Sequence, residues 1–283
     1  MQMDITDSPD PASREAILDV LIAHTEQQLG PRPPKCDLGL FLRGPDGAVI
    51  GGLSAVCYWD WMFVETFFLP EALRGGGLGR RLMAVAESYA ARFGCAGIWL
   101  NTLSFQAPNL YRKLGFAEVG RLDDYPPGHK RYWFAKTDLH DSAPDVSGIE
   151  ITEEPHAAEE KILFAGLIAF SEAAAGPRGF RPYAILLRDE AGIIVGGMWA
   201  RIAWGWLFVE LLALPEATRG SGLGTRLMAL AESEARAHGC LGLYLDTASF
   251  QARPFYEKLG MSCFGEIRNQ PRGHFRSLLA KRF

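Results

Sequence analysis

Cysteine is scarce in this 283-residue chain. The five thiols (Cys36, Cys57, Cys95, Cys240, Cys263) are an odd number with no C-x-x-C pair. That spacing offers no zinc site, so no metal is expected, and it points to reduced thiols in a cytoplasmic protein. Positive charge is not in excess either. Lys and Arg number 29 against 33 Asp and Glu, a net charge of −4 with no basic stripe, so nucleic acid is not an expected partner. No long uncharged apolar run is present. The most membrane-like stretch, 192–214, carries Arg201 and Glu210 and reads as two strands, so no membrane span is expected. The first ten residues are acidic and polar, unlike a signal peptide.

Two glycine-rich stretches dominate what is present. They are Arg74-Gly75-Gly76-Gly77-Leu78-Gly79 and Arg219-Gly220-Ser221-Gly222-Leu223-Gly224. Each follows an apolar run ending at Pro70 or Pro215, and each opens an amphipathic helix. In the first, Leu78, Leu82, Ala86, Tyr89 and Phe93 form the helical stripe. A strand, a glycine turn and a helix start make an anion site, because first-turn N–H groups lack partners and the helix dipole is positive there. Arg74 and Arg219 add a charged fork at the rim. Gly-Lys-Ser/Thr does not follow the glycines, which excludes a P-loop. The glycine spacing also departs from the dinucleotide fingerprint.

The two stretches lie 145 residues apart, and laying 196–281 over 51–136 without a gap gives about 45 identities in 86 positions. A period this long means duplicated domains, since solenoid repeats run about 20–50 residues. The polar seam near 137–148 reads as a linker, giving domains 1–138 and 149–283 joined by 139–148. In the first copy, patterning predicts a strand at 3–6, a helix at 11–29, strands at 36–43, 48–56 and 61–69, and a helix at 77–93. A strand at 98–101, a helix at 105–113 capped by Ser104, and strands at 116–121 and 131–136 complete it. The second copy repeats the order, which is that of an α/β protein with a mixed sheet.

These residues resemble the GNAT-type N-acetyltransferase superfamily. The resemblance rests on Arg-x-x-Gly-x-Gly after the fourth strand, at Arg74 to Gly79 and Arg219 to Gly224. It rests also on Tyr111-Arg112-Lys113-Leu114-Gly115-Phe116 and Tyr256-Glu257-Lys258-Leu259-Gly260-Met261. Both motifs, twice at one spacing, imply two tandem GNAT-like domains whose halves pack as a pseudo-dimer. The family fold implies that strands four and five part and that acetyl-CoA lies in the gap as cosubstrate. Its pyrophosphate would then rest on the backbone of Gly75, Gly76, Gly77 and Gly79 and of Gly220, Ser221, Gly222 and Gly224, with Leu78 and Leu223 opening the helices.

The implied reaction is transfer of an acetyl group to a primary amine by direct attack in a ternary complex. The resemblance gives Tyr111 and Tyr256 the role of acid to the departing sulfur; as residues alone they also read as core aromatics. Glu65 and Glu210, each in an apolar strand, are the candidate bases, expected to have raised pKa values. Paired structural carboxylates are the alternative. Ser104 and Ser249 stand where many family members have a cofactor-contacting Asn. His129 and His274, in matching Gly-His-x-Arg turns, are candidates for the acceptor site. Trp59, Trp61, Trp204 and Trp206 read as packing residues or as an acceptor pocket. The acceptor class stays open, from small molecules to peptide amines. A non-catalytic acyl-CoA-binding module or sensor, or one catalytic half with one structural half, are the competing readings.

Overall fold

The computed structural model describes residues 1–33 and 36–283. The first copy contains β1 (Gln2–Thr6), α1 (Pro11–Leu29), β2 (Cys36–Arg43), β3 (Val49–Tyr58), β4 (Trp61–Phe68), α2 (Leu78–Arg92), β5 (Gly97–Leu103), α3 (Pro108–Lys113), β6 (Ala117–Asp123) and β7 (Lys130–Lys136). The second contains β8 (Glu150–Thr152), α4 (Ala157–Ala175), β9 (Arg181–Arg188), β10 (Ile194–Ala203), β11 (Trp206–Ala213), α5 (Leu223–Ala237), β12 (Gly242–Ala248), α6 (Arg253–Lys258), β13 (Ser262–Arg268) and β14 (Phe275–Arg282). Each copy runs strand, helix, three strands, helix, strand, helix and two strands, the order that the patterning predicts, giving a mixed α/β architecture. Local signals set the ends. At α1, Asp10 accepts a hydrogen bond from the Ala12 N–H at 3.0 Å and Pro11 stands at the first helical position.

All strands join one sheet, in the order β1-β9-β10-β11-β12-β14-β13-β6-β7-β5-β4-β3-β2-β8. The copies are interleaved in it. β1 pairs with β9 of the second copy, and β8 pairs with β2 of the first. The helices follow: α1 packs on β10 and β11, and α4 on β3 and β4. Ile17 of α1 is fully buried beside Ala184, Leu186 and Leu211, while Leu163 of α4 is fully buried against Phe41. Arginines clamp each exchanged strand, Arg188 to Asp4 at 2.8 Å and Arg43 to Glu150. The two copies follow one another along the chain. In space, the first strand and helix of each copy lie on the other.

The copies meet where Gly120 of β6 pairs with Gly265 of β13. A Cβ on Gly265 would stand 2.4 Å from the Val119 carbonyl oxygen, so only glycine allows this approach. An apolar cluster spans the seam and includes Trp61, Trp99, Trp133, Trp206, Tyr244 and Leu278. Trp61 and Trp206 are fully buried and donate their indole N–H groups across it, to Asn269 O at 2.6 Å and Asp124 O at 2.9 Å. These two tryptophans therefore pack and tie the copies together. Trp59 and Trp204 stand in the hairpin turns with positive φ. No helix among the described residues is long and apolar enough to cross a membrane.

Candidate active site

β4 and β5 run parallel, paired from Trp61/Gly97 to Val64/Leu100, and the register ends there. The matching pair β11/β12 ends at Val209/Leu245. Beyond these points the strands part, leaving main-chain groups on both sides of a gap. A β-bulge sits at the same place. Ser54 faces Thr66 and Ala55 faces Val64, so Glu65 is the extra residue of β4; Glu210 is that of β11. A bulge leaves its extra residue outside the ladder and turns the strand, often beside a functional site.

The glycine loops lie just past the ends of β4 and β11. Gly75, Gly77, Gly220 and Gly222 have φ between 77° and 85°, a left-handed conformation that favours glycine. Gly77 and Gly222 are the N-caps of α2 and α5, and no side chain caps either helix. The first-turn N–H groups thus face outward, into space where a Cβ on Gly75, Gly76 or Gly77 would touch nothing within 4 Å. Gly79 and Gly224 instead face the hydrophobic side, near Leu110 and Phe255. Leu78 and Leu223 begin the helices, and Ser221 is exposed at the place of Gly76. Arg74 is exposed, donates to Leu69 O at 2.8 Å and lies over the Phe170 ring of α4 at 4.3 Å. Arg219 is exposed. Uncapped amides, open space and parted strands fit a phosphate-bearing ligand with an extended arm.

Tyr111 of α3 and Tyr256 of α6 are buried below the gaps. Tyr111 shares its apolar cluster with Val64 and Leu100, and Tyr256 with Val209 and Leu245, the last paired residues of each fork. Burial pushes both phenols above their ordinary pKa, and nearby Asp246 adds to the shift at Tyr256. Both remain neutral proton donors through the neutral range.

Ser104 does not cap a helix from 105. Pro108 sets the start of α3, with Ala107 as N-cap, and Gln106 organises the turn by accepting from Leu103 N at 2.9 Å. Ser104 Oγ meets His129 Nδ1 at 3.4 Å and accepts from Lys130 N at 3.2 Å. The second copy repeats this: Ser249 Oγ meets His274 Nδ1 at 3.1 Å and accepts from Phe275 N at 3.4 Å. Each serine thus joins the start of the last strand to the fork strand, and the histidines are drawn to it.

The carboxylates differ between copies. Glu65 is exposed, because the bulge turns it out of the apolar strand in which the sequence places it. Glu210 is only 15% exposed and ion-paired, with Arg201 of β10 and with Arg14 of the exchanged α1 at 3.8 Å. Sequence reasoning singled out neither arginine, nor the seam pair Arg131 and Arg276. Arg131 donates to Asn101 at 2.7 Å within its own copy and to the Tyr244 hydroxyl of the other at 2.7 Å. Arg276 bonds Asp246 and lies over Trp99 of the first copy at 5.7 Å. The repeated Gly-His-x-Arg turn was the available signal. Among the described residues, no group of three or more His, Cys, Asp or Glu is placed to hold a metal ion.

Comparison with known proteins gives a consistent family. A model of the acetyltransferase (GNAT) family matches residues 9–116 and again 146–261. An acetyltransferase of Agrobacterium fabrum is 36% identical over 136 residues, covering 48% of this chain and 98% of that protein. The blasticidin-S acetyltransferase of Streptomyces morookaense is 41% identical over 86 residues, covering 30% of this chain and 63% of that protein. Among solved structures, a protein assigned as an acetyltransferase from Agrobacterium tumefaciens is 36% identical, with a TM-score of 0.45, covering 47% of this chain and 96% of its own.

Proposed function

The chain belongs to the acetyltransferase (GNAT) family, and from that premise we propose that it transfers an acetyl group from acetyl-CoA to a primary amine, at two clefts. The observation that carries this reading is the twice-built fork, with an uncapped glycine helix start above it and a buried tyrosine below it. The N–H groups that open α2 and α5 would hold the pyrophosphate. The unpaired edges of β4 and β11 would hold the pantetheine arm by main-chain bonds. Bound acetyl-CoA supplies the acetyl group as an activated thioester.

This chain's residues manage the protons. Glu65 in the first cleft, and Glu210 in the second, accept the proton that the acceptor amine must lose, through water. Tyr111 and Tyr256 keep their protons because burial raises their pKa, and each presents one to the leaving sulfur. Ser104 with His129, and Ser249 with His274, border the acceptor end. Along the chain the domains are 1–138 and 149–283 joined by 139–148, each completed by the other's first strand and helix. The shared aromatic seam supports a pseudo-dimer. Antibiotic amines are one acceptor class, supported by the blasticidin-S relative.

Calorimetric titration with acetyl-CoA, paired with a thiol-release assay on an amine panel, tests the reading. Two binding sites per chain and amine-dependent thiol release are expected. Binding without release from any amine would favour a sensor, and absence of binding would overturn the assignment.

A further inference from the structure

Three of the five thiols gather at one place in the first copy. Cys36 and Cys57 stand directly opposite each other in the β2–β3 ladder. Both are buried, at 3% and 5% exposed, in the apolar cluster that includes Tyr89 and Ala90 of α2. Cys95 lies in the connection from α2 to β5, half-buried, with its Sγ 3.8 Å from Cys57 Sγ. Backbone bonds fix that connection. Cys95 N donates to Ala90 O at 2.9 Å, and Ala96 N donates to Asp60 O at 2.6 Å. Arg272 of the second copy donates to Gly94 O at 3.0 Å and pairs with Asp60 at 3.4 Å. Cys95 is thus held at the rim of the core, with Cys57 directly behind it. Among the described residues, no such group is placed to hold a metal ion, so the contact between the thiols is left to account for.

The second copy does not keep the arrangement. Arg181 and Ile202 pair across β9 and β10 where the first copy has Cys36 and Cys57. Only Cys240, in the place of Cys95, remains, and burial pushes its thiol up to about 11. Cys95 moves the other way. Its hydrogen bond with Cys57 holds it below the ordinary cysteine value, with the charge of Arg272 helping and burial and Asp60 opposing. Cys57 is raised by its hydrogen bonds with Cys36 and Cys95, so it keeps its proton. The thiolate is the reactive form of cysteine, and Cys95 is also the more accessible of the pair.

We propose that Cys57 and Cys95 form an oxidative modification site, which hydrogen peroxide converts to a reversible disulfide with Cys95 as the attacking sulfur. The sequence expectation of reduced thiols then describes the resting state. In the first step the Cys95 thiolate attacks one peroxide oxygen. An S–O bond forms, the O–O bond breaks, and hydroxide leaves and becomes water with the proton that Cys95 gave up. Cys95 is now a sulfenic acid. In the second step Cys57 sulfur attacks Cys95 sulfur. The S–S bond forms, the S–O bond breaks, and the departing hydroxide takes the Cys57 proton as a second water. Two thiols are oxidised by one peroxide, which is reduced to two waters. The sulfurs need to close only from 3.8 Å to the bonded distance of about 2.0 Å. A dithiol reduces the bridge again by exchange. The site stands apart from the acetyl-transfer reading and does not depend on it.

The test exposes the reduced full chain to hydrogen peroxide, followed by alkylation in denaturant, thiol counting and peptide mapping. Free thiols should fall from five to three per chain, with Cys57 linked to Cys95, and dithiothreitol should restore all five. Cys95 should be consumed about tenfold or more faster than Cys240, in keeping with their thiolate fractions. In Cys57→Ala, Cys95 loses its partner and should be trapped by dimedone as the sulfenic acid. In Cys95→Ser, the loss of the Cys57 thiol at the same peroxide dose should disappear. Cys36→Ser should still form the bridge, as should Cys263→Ser, which removes the exposed thiol. The wild-type map stands without any variant that could misfold. Three results would each overturn the proposal: a wild-type linkage of Cys57 to Cys36, equal consumption of Cys95 and Cys240, or five thiols persisting at a dose that oxidises a free cysteine added as internal control.

Discussion

Substituting Gly77 by alanine isolates the backbone of the phosphate loop from its surroundings. Gly77 has φ 85° and a Cβ there would meet nothing within 4 Å, so the added methyl causes no clash. What it brings is the cost of a left-handed conformation for an L-residue, about 1–2 kcal/mol. Gly77 is the N-cap of α2, so relief of that strain would turn the first N–H groups away from the anion. If the whole cost falls on the liganded loop, the Kd for acetyl-CoA at the first site rises about 5- to 30-fold. Gly76→Ala is the matched control. Gly76 is equally open and lacks the positive φ, and Ser221 already holds its place in the second copy. Calorimetry on both variants, in a Gly222→Ala background that weakens the second site, gives the two constants. Equal Kd values for Gly77→Ala and Gly76→Ala would refute the argument that backbone conformation, and not side-chain absence, makes the site.

The double variant Tyr111→Phe/Tyr256→Phe should lower kcat by about 10²- to 10⁴-fold with acetyl-CoA stoichiometry unchanged, measured by thiol release and calorimetry. Burial raises the phenols of Tyr111, Tyr244 and Tyr256, and that of Tyr183 to about 12. Tyrosines of the unfolded chain ionise near pH 10. Above that pH the unfolded state therefore holds fewer protons than the folded state, and stability falls as pH rises toward the folded values. Burial also raises the Cys240 thiol to about 11, and thiols of the unfolded chain ionise near pH 8.5, so urea midpoints should begin to decline above about pH 8.5 and fall more steeply above about pH 10; a rise there would contradict the burial. Trp61→Ala should cost about 3–5 kcal/mol in urea unfolding, since a fully buried ring and its bond to Asn269 O go together. A protease site placed in 139–148 and cleaved should leave both fragments in one particle on size exclusion, because each holds the other's first strand and helix; separation would refute the exchange.

Periodicity and punctuation made much of the fold legible. Asp10-Pro11 marks the start of α1, Gly77 the entry to α2, and the 145-residue repeat fixes the second set of elements. The glycine loop could be read as an anion site because its requirement is on φ, which glycine advertises. The bulge at Glu65 could not, since it arises from a mismatch between β3 and β4 and neither strand alone reveals it. Glu65 is exposed despite its apolar strand for that reason. Ser104 and His129 were each visible as repeated residues, but their contact spans 25 positions and depends on the β5–β7 register. The exchange of β1 and α1 was hidden more deeply. Both copies offer the same edge and the same groove, so the helical stripe of α1 fits either one, and no local pattern says which.

That exchange changes what divergence between the copies means. The donor end of each cleft, from the fork through the glycine loop to the tyrosine, is nearly the same in both: Phe-Val-Glu, Arg-Gly-x-Gly-Leu-Gly and Tyr-x-Lys-Leu-Gly recur. The helices α1 and α4 share much less, as their opening turns show, with Arg14 in one and Glu160 in the other. Because these helices lie over the opposite copy's strands, a change in 11–29 alters the cleft at Glu210, and a change in 157–175 alters the cleft at Glu65. The seam arginines couple the sides further, Arg131 reaching Tyr244 and Arg276 reaching Trp99. Neither cleft is thus the property of one copy. A substitution in α1 or α4 therefore acts on the strands of the opposite copy, and a half expressed alone would keep its glycine loop but lose the helix that lies over its own third and fourth strands.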